Sequence, residues 1–233
     1  MVEDSVLVFD IEAVPDVQAF AKAERLESHP DWSVRKQMGE KVARQLFQRI
    51  VCIGSLLARR GPDGAWHVDS LEAPHAGEGS ERDLIERFVG RLDGGPLLVS
   101  FNGHTFDLPV LRYRAMMHSV DAPALAARRY FDRAAADSID LCDLLSAQER
   151  HARASLDDLS RVLGLDGKPD GVDGAAVEEM FRAGRHAEIA AYCRSDVVNT
   201  YRIWLRYELF CGRLDQAQLA ASDADLTARS RES

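Results

Sequence analysis

The chain of 233 residues contains no apolar run that approaches the roughly 18 to 20 residues needed to span a bilayer. Its N-terminus also lacks the basic, apolar and small-residue sections of a signal peptide. We therefore expect a cytoplasmic protein with no membrane partner. The length suits one well-buried domain that folds alone.

Cysteine is scarce, and the four cysteines form no CxxC pair. The seven histidines form no HxxxH or HExxH pattern. These spacings predict neither a disulfide framework nor a zinc cluster. The cysteines are therefore expected to be small core residues, and the histidines to lie mostly at the surface.

Positive charge is in deficit, because 29 Lys and Arg residues stand against 38 Asp and Glu residues and give a formal net charge of -9. Broad nonspecific binding to nucleic acid depends on the neutralisation of phosphates by Lys and Arg. The charge balance argues weakly against such binding, but it is compatible with a local basic rim.

Strand patterns come first along the chain and then alternate with helix patterns. Segment 6–14, RIVCIGSLLARR and AWHVDSLEA indicate three strands of an antiparallel meander, with GPDG as the turn between the last two. The polar segment 16–48 is expected to be partly helical around 34–47. Later strands are predicted at PLLVSFN and DSIDLCDLL. Helices are predicted from Ser80 (a capping box with Asp83), Phe106, Ser155 (ended by Gly164), Ala175 and His186.

This order predicts an α/β fold whose mixed sheet contains an antiparallel meander followed by parallel strands, flanked by helices. We expect a single domain over residues 1–220. Segment 221–233 is polar and is expected to be a flexible tail.

The first strand, in VLVFDIEAVPD, ends with Asp10 and Glu12. Side chains two apart on a strand point to the same face, so both carboxylates are expected to face one way. Apolar side chains occupy both faces, with Val6 and Val8 beside the acids and Leu7, Phe9 and Ile11 opposite. The strand is therefore predicted to be central in a covered sheet. Either it ends in solvent, or the acids hold a cation together with partners elsewhere, because buried like charges are costly.

Two later segments offer such partners. SFNGHTFDLPVL places Asp107 in the first turn of a helix, where an acid also complements the helix dipole without any catalytic role. The long late helix carries Tyr192 one turn before Asp196, on the same face and beside an apolar stripe. Aspartate is a poor mid-helix residue, so Asp196 at a buried edge calls for a salt bridge, a cap or a metal. Each motif alone is ambiguous.

Taken in order, FDIE, FNGHTFDLPVL and YCRSDVVNTY resemble the motifs of the DEDD (DnaQ-like) 3'-5' exonuclease superfamily, in the DEDDy branch whose last motif carries tyrosine. More narrowly, they are similar to predicted stand-alone 3'-5' exonucleases related to the proofreading domain of family-B DNA polymerases. The resemblance covers about 6–209. It implies a ribonuclease H-like fold and hydrolysis at the 3' end of single-stranded nucleic acid, with DNA favoured as the substrate and nucleoside 5'-monophosphates as the products.

The resemblance also implies a set of site residues. The implied ligands of two Mg²⁺ or Mn²⁺ ions are Asp10, Glu12, Asp107 and Asp196. Our hypothesis is that Asp10 bridges both ions, that Glu12 and Asp196 complete the first, and that Asp107 holds the second. Tyr192 is the implied residue that orients the attacking water. Carboxylate oxygens suit these hard cations.

Substrate contacts are implied for Asn102, Phe106 and Lys168, of which Asn102 matches an asparagine near the substrate's 3' end. Many relatives carry a hydroxyl residue directly after the first-motif glutamate, whereas this chain has Ala13. One hydrogen bond to the substrate is therefore expected to be absent, while the metal ligands are complete.

Two alternatives remain open. An exoribonuclease of the same fold would trim short RNA, and the contact to the 2'-hydroxyl that separates RNA from DNA cannot be located in the sequence. A noncatalytic nucleic-acid-binding module is the other alternative. Such a module would usually have lost at least one metal ligand, and all four are present in this chain.

Overall fold

The computed structural model describes residues 4–39, 44–127, 137–166 and 174–232. Five strands form one sheet in the order β3-β2-β1-β4-β5. The strands are β1 (Ser5–Pro15), β2 (Gln48–Arg60), β3 (Trp66–Glu72), β4 (Leu97–Ser100) and β5 (Ser138–Asp140). Strand β2 pairs antiparallel with β1 and β3, whereas β4 pairs parallel with β1 and β5. The predicted mixed sheet, with a meander followed by parallel strands, is confirmed.

Helices cover the sheet and connect its strands. They are α1 (Val17–Glu24), α2 (Asp31–Met38), α3 (Glu81–Gly90), α4 (Asp107–Met117), α5 (Pro123–Ala127), α6 (Leu141–Leu145), α7 (Leu156–Val162), α8 (Gly174–Arg182), α9 (His186–Phe210) and α10 (Gln216–Glu232). The capping box of Ser80 and Asp83 opens α3, and the Ser155 side chain caps α7, as their spacing predicts. Among the described residues, no helix is long and apolar enough to cross a membrane.

The strand β1 lies at the centre of the sheet and is covered on both sides. Its side chains Leu7, Phe9 and Ile11 pack with residues of α3 and α4. Val6 and Val8 pack on the other side with residues of α9. The alternation predicted from the sequence is therefore confirmed, and it directs the even-numbered side chains of β1 toward α9.

The connection between β1 and β2 differs from the sequence prediction. A helix around 34–47 was expected, but the structure has α1, α2 and a short 3-10 turn at Gln45–Phe47. The Asp16 side chain caps α1 by accepting from the Ala19 N–H at 2.9 Å. Gly39 ends α2 with a φ of 77°, a left-handed conformation that glycine adopts without strain. Residues 40–43 lie outside the described residues.

The prediction of a flexible tail over 221–233 is wrong for 221–232, because these residues belong to α10. This helix lies against β3, the edge strand of the sheet. The Ser222 hydroxyl accepts from the Trp66 N–H at 2.8 Å, and a carboxylate oxygen of Asp225 accepts from the Val68 N–H at 2.7 Å. Leu226 is fully buried. The polar residues that suggested disorder therefore satisfy the exposed edge of the sheet.

Candidate active site

The two acids of β1 lie on the side of the sheet that α9 covers. Ligand atoms of Asp10, Glu12 and Cys193 all lie within 4.8 Å of one another. The Cys193 Sγ is 3.5 Å from Oδ2 of Asp10. Burial raises the pKa of the Cys193 thiol, and the neighbouring charges of Asp10 and Glu12 raise it further. Both carboxylates therefore face one way, as the alternation of β1 predicts.

Helix α9 approaches the sheet closely at Gly54, the residue of β2 that pairs with Asp10. The Gly54 N–H donates to the Cys193 Sγ at 3.1 Å. A Cβ at position 54 would lie 2.8 Å from that sulfur and 2.9 Å from a methyl carbon of Val197. The missing side chain thus lets α9 lie directly over the end of β1 that carries the acids.

Tyr192 and Asp196 are brought to this point by α9, and both are buried. Asp196 lines a cavity of about 380 Å³ together with Asp10 and Asn102. Tyr192 packs one helical turn earlier, among apolar residues that include Val14 and Ile189. Asp10 and Asp196 are thus 186 residues apart in the sequence, yet both line the same cavity.

Asp107 is the first residue of α4 and is buried beside the end of β1. Its Oδ1 accepts from the Ile11 N–H at 3.0 Å. Burial raises the pKa of Asp107 to about 7, and the charges of Asp140 and Asp196 add to the rise, although the Ile11 hydrogen bond opposes it. Asp107 and Asp196 are therefore close enough to repel each other.

Asn102 lies in the loop between β4 and α4, with a left-handed φ of 64°. Its N–H donates to Oδ1 of Asp140 at 2.8 Å, and the N–H of His104 donates to Oδ2 of the same carboxylate at 2.9 Å. Asp140 thus fixes the loop backbone from the end of β5. The Asn102 side chain lines the cavity beside Asp10.

A family model described as a predicted 3'-5' exonuclease related to the exonuclease domain of PolB matches residues 40–231, more than half of the chain. The chain belongs to this exonuclease family. Strand β1, with Asp10 and Glu12, precedes the matched residues. No curated protein sequence matches the chain.

One solved structure supports the fold of this chain. The family B DNA polymerase from the hyperthermophilic archaeon Pyrobaculum calidifontis matches with a TM-score of 0.55 and 19% identity, over 89% of this chain and 24% of the polymerase chain. The ribonuclease H-like fold is confirmed by this match. The zinc-bound complex of E. coli exonuclease I with single-stranded DNA matches at a TM-score of 0.38 and 12% identity, over 90% of this chain and 45% of that chain, which is too distant to support a conclusion. The chain thus spans less than half of the length of either protein.

Phe106 and Lys168 are the other two predicted substrate contacts. Phe106 is half-buried, precedes α4, and packs against the apolar cluster on the opposite side of the sheet from α9. Phe106 is not among the described residues that line the cavity. Lys168 lies outside the described residues.

Sequence reasoning missed three residues that shape the site. Asp140 holds the loop of Asn102, Gly54 admits α9, and Arg153 lines the cavity. An aspartate directly before a helical segment signals an N-cap, so Asp140 could have been found as the cap of α6. Neither Gly54 nor Arg153 lies in a local sequence motif that would have indicated its role in the site.

The carboxylate oxygens at this point of the chain fit a hard divalent cation. The ligand atoms at the end of β1 and on α9 include carboxylate oxygens of Asp10, Glu12 and Asp196. The pKa of Asp107 is raised mainly by burial, and the charges of Asp140 and Asp196 add to the rise. Oxygen donors of this kind favour Mg²⁺ or Mn²⁺, and a bound cation would favour the ionised form of Asp107.

The raised pKa of Asp107 predicts that cation binding depends on pH. Its folded-state pKa of about 7 lies above the ordinary value of 3.8, so its contribution to stability is complete below about pH 3.8 and is lost as the pH rises through about 7. A cation must displace this proton at acidic pH. We expect the rise in melting temperature on adding Mg²⁺ to be larger at about pH 8 than at about pH 5.5.

The matched control is Asp107→Asn, which keeps the size of the side chain but cannot titrate. Calorimetry of both proteins with and without Mg²⁺ separates the contribution of Asp107 from that of the histidines. An equal Mg²⁺ shift at both pH values in the parent would show that Asp107 does not bind the cation.

Proposed function

We propose that the chain hydrolyses phosphodiester bonds at the 3' end of single-stranded nucleic acid, and that DNA is the favoured substrate. The products are nucleoside 5'-monophosphates. The observation that supports this most strongly is the convergence of Asp10, Glu12, Asp107 and Asp196 from three separate elements, β1, α4 and α9. A structural role in one element would not require acids from the other two.

Asp10, Glu12, Asp107 and Asp196 would hold two Mg²⁺ or Mn²⁺ ions. When bound, such ions activate a water and neutralise charge on the phosphate and the leaving oxygen. The chain's own residues fix the positions of these carboxylates. Asp107 is held by the Ile11 N–H, and Asp10 is held against α9 through Cys193. The rigid support of β1 and α9 keeps the acids from separating under their mutual repulsion.

The cavity next to the acids would receive the terminal nucleotide. Asn102 and Phe101 line it on the side of β4, and Leu156 lines it on the side of α7. Phe101 and Leu156 offer apolar surface to a base or sugar, and Asn102 offers an amide. The small size of the cavity, about 380 Å³, suits one nucleotide at a chain end.

Digestion of matched DNA and RNA oligonucleotides tests the proposal. We expect Mg²⁺-dependent release of nucleoside 5'-monophosphates from single-stranded DNA, and slower release from RNA of the same sequence. Faster digestion of RNA would make the chain an exoribonuclease. Tight binding of single strands without hydrolysis in either Mg²⁺ or Mn²⁺ would make it a binding module instead.

Tyr192 is proposed to orient the attacking water through its hydroxyl. Tyr192→Phe keeps the apolar packing of the ring and removes one hydrogen bond. We expect kcat to fall by about fivefold, since one such bond contributes on the order of 1 kcal/mol. Steady-state kinetics on a single-stranded oligonucleotide measures this loss.

Tyr201→Phe is the matched control on the same helix. The Tyr201 hydroxyl is deeply buried and, among the described residues, has no hydrogen-bond partner. Its removal should leave kcat unchanged. An unchanged kcat in Tyr192→Phe as well would remove Tyr192 from the reaction.

A further inference from the structure

Arg153 brings a positive charge to a cavity whose other charged lining residues, within the described part of the chain, are Asp10 and Asp196. It follows a short 3-10 turn, Arg150–Ala152, and precedes the cap of α7. Its side chain is 22% exposed and therefore mostly buried. A cation held in this way beside two acids of the site calls for an explanation.

The guanidinium of Arg153 is fixed between two side chains. Nη1 donates to Oδ1 of Asn102 at 3.1 Å, and Nη2 donates to Oδ1 of Asp143. Asp143 is buried, and its other oxygen lies 3.6 Å from Nδ1 of His104. One terminal nitrogen of the Arg153 guanidinium thus binds the buried Asp143, and the other binds Asn102.

The contact with Arg153 determines how the amide of Asn102 is oriented. Arginine only donates hydrogen bonds, so the amide atom that it contacts is the oxygen. The Thr105 hydroxyl approaches the same oxygen at 2.6 Å. Because both partners contact the amide oxygen, neither of them contacts the NH₂ group of Asn102. Among the described residues this NH₂ group has no hydrogen-bond partner, although Asn102 lines the cavity.

The backbone of Asn102 is fixed as well. Asp140 accepts from its N–H, and the left-handed φ of 64° is held by the surrounding loop. Backbone and side chain are therefore both immobilised before any substrate arrives. Such preorganisation reduces the entropy lost on binding.

We propose that Arg153 is a positioning residue of the exonuclease site, which holds the Asn102 amide so that its NH₂ group donates to an oxygen of the terminal nucleotide. This inference rests on the proposed function of the cavity. Arg153 acts through Asn102, and the planar fork of its guanidinium, rather than its charge alone, is the required feature. Lysine, a point charge without that fork, cannot contact Asn102 and Asp143 in the same way.

The test is a double-mutant cycle on binding. A fluorescent single-stranded oligonucleotide with phosphorothioate linkages at its 3' end resists hydrolysis, so its Kd in Mg²⁺ can be measured by anisotropy. We expect Asn102→Ala and Arg153→Lys each to raise Kd by about tenfold, because each variant loses one hydrogen bond to a charged ligand. The double variant should be no weaker than Asn102→Ala alone.

Three further variants make the outcome decisive. Asn102→Asp leaves Arg153 and Asp143 intact but replaces the NH₂ group with an anionic oxygen, so it should also raise Kd. Arg150→Lys changes an exposed arginine three residues earlier and should leave Kd unchanged. Arg153→Gln removes the charge, and its melting temperature shows whether Asp143 needs that charge for folding.

Full retention of affinity in Arg153→Lys or Asn102→Asp would overturn the proposal. Additive losses in the cycle would overturn it too, because Arg153 would then contact the substrate independently. Hydrolysis is measured separately with an unmodified strand. A parent that binds but does not hydrolyse refutes the proposed activity, while the cycle still decides the role of Arg153. A parent that binds no single strand refutes both.

Discussion

Asp196→Asn should lower the rate of 3'-end hydrolysis by at least about a thousandfold, because a lost metal ligand removes several kcal/mol of transition-state stabilisation. Asp196 is buried and lines the cavity together with Asn102, and its charge raises the pKa of Asp107. The amide is nearly the same size as the carboxylate, so the packing of α9 is retained. Single-turnover hydrolysis of a labelled oligonucleotide in Mg²⁺ measures the effect.

The metal-free melting temperature distinguishes this loss of activity from unfolding. Removal of the Asp196 charge lessens the repulsion on Asp107, so metal-free Asp196→Asn should be at least as stable as the parent. Its stabilisation by Mg²⁺ should be smaller than that of the parent. Asp223→Asn, which changes a half-exposed aspartate on α10, is the matched control and should keep full activity. Hydrolysis by Asp196→Asn at the parental rate would refute the metal assignment.

Gly54→Ala should displace α9 from the acids of β1 and reduce hydrolysis by roughly a hundredfold, the cost of a misplacement of about 1 Å in an active site. The new Cβ would lie 2.8 Å from the Cys193 sulfur and 2.9 Å from Val197, closer than such atoms approach in proteins. Overpacking of this kind destabilises a core by about 1 to 3 kcal/mol. Thermal unfolding and kcat together measure the two effects.

Two variants test this explanation of Gly54. Gly90→Ala adds a methyl group at the exposed end of α3, where no atom lies within 4 Å of the new Cβ, and should leave both stability and activity close to the parent. Gly54→Ala combined with Cys193→Ala removes the nearest clash and should recover part of the activity. A fully active Gly54→Ala protein would show that the position of α9 does not control the site.

Local patterns in the sequence predicted the first strand and several helix ends well. The direction of Asp10 and Glu12 depends only on the alternation of β1, and the start of α3 depends on two residues three apart. Both are properties of a short segment, so the sequence is sufficient to derive them. The three-motif order then supplied the remaining acids through resemblance to a family.

Features that depend on distant partners were not predictable in this way. Helix α10 looked like a tail because its supports, the Trp66 and Val68 N–H groups, lie 156 and 157 residues earlier in the chain. Arg153 reaches Asn102 across 51 residues. The absence of a Cβ at Gly54 affects the site only because α9 packs against this residue. Tertiary contacts, rather than local propensity, determine these parts of the site.

Cleavage of a 5'-labelled single-stranded oligonucleotide in Mg²⁺ tests the central claim most directly. The four converging carboxylates predict a ladder of products that shorten one nucleotide at a time from the 3' end. The ladder should be absent with EDTA, with Asp196→Asn, and with a strand whose 3' end carries phosphorothioate linkages. A labelled mononucleotide as the first product, or an unchanged ladder with Asp196→Asn, would contradict the account.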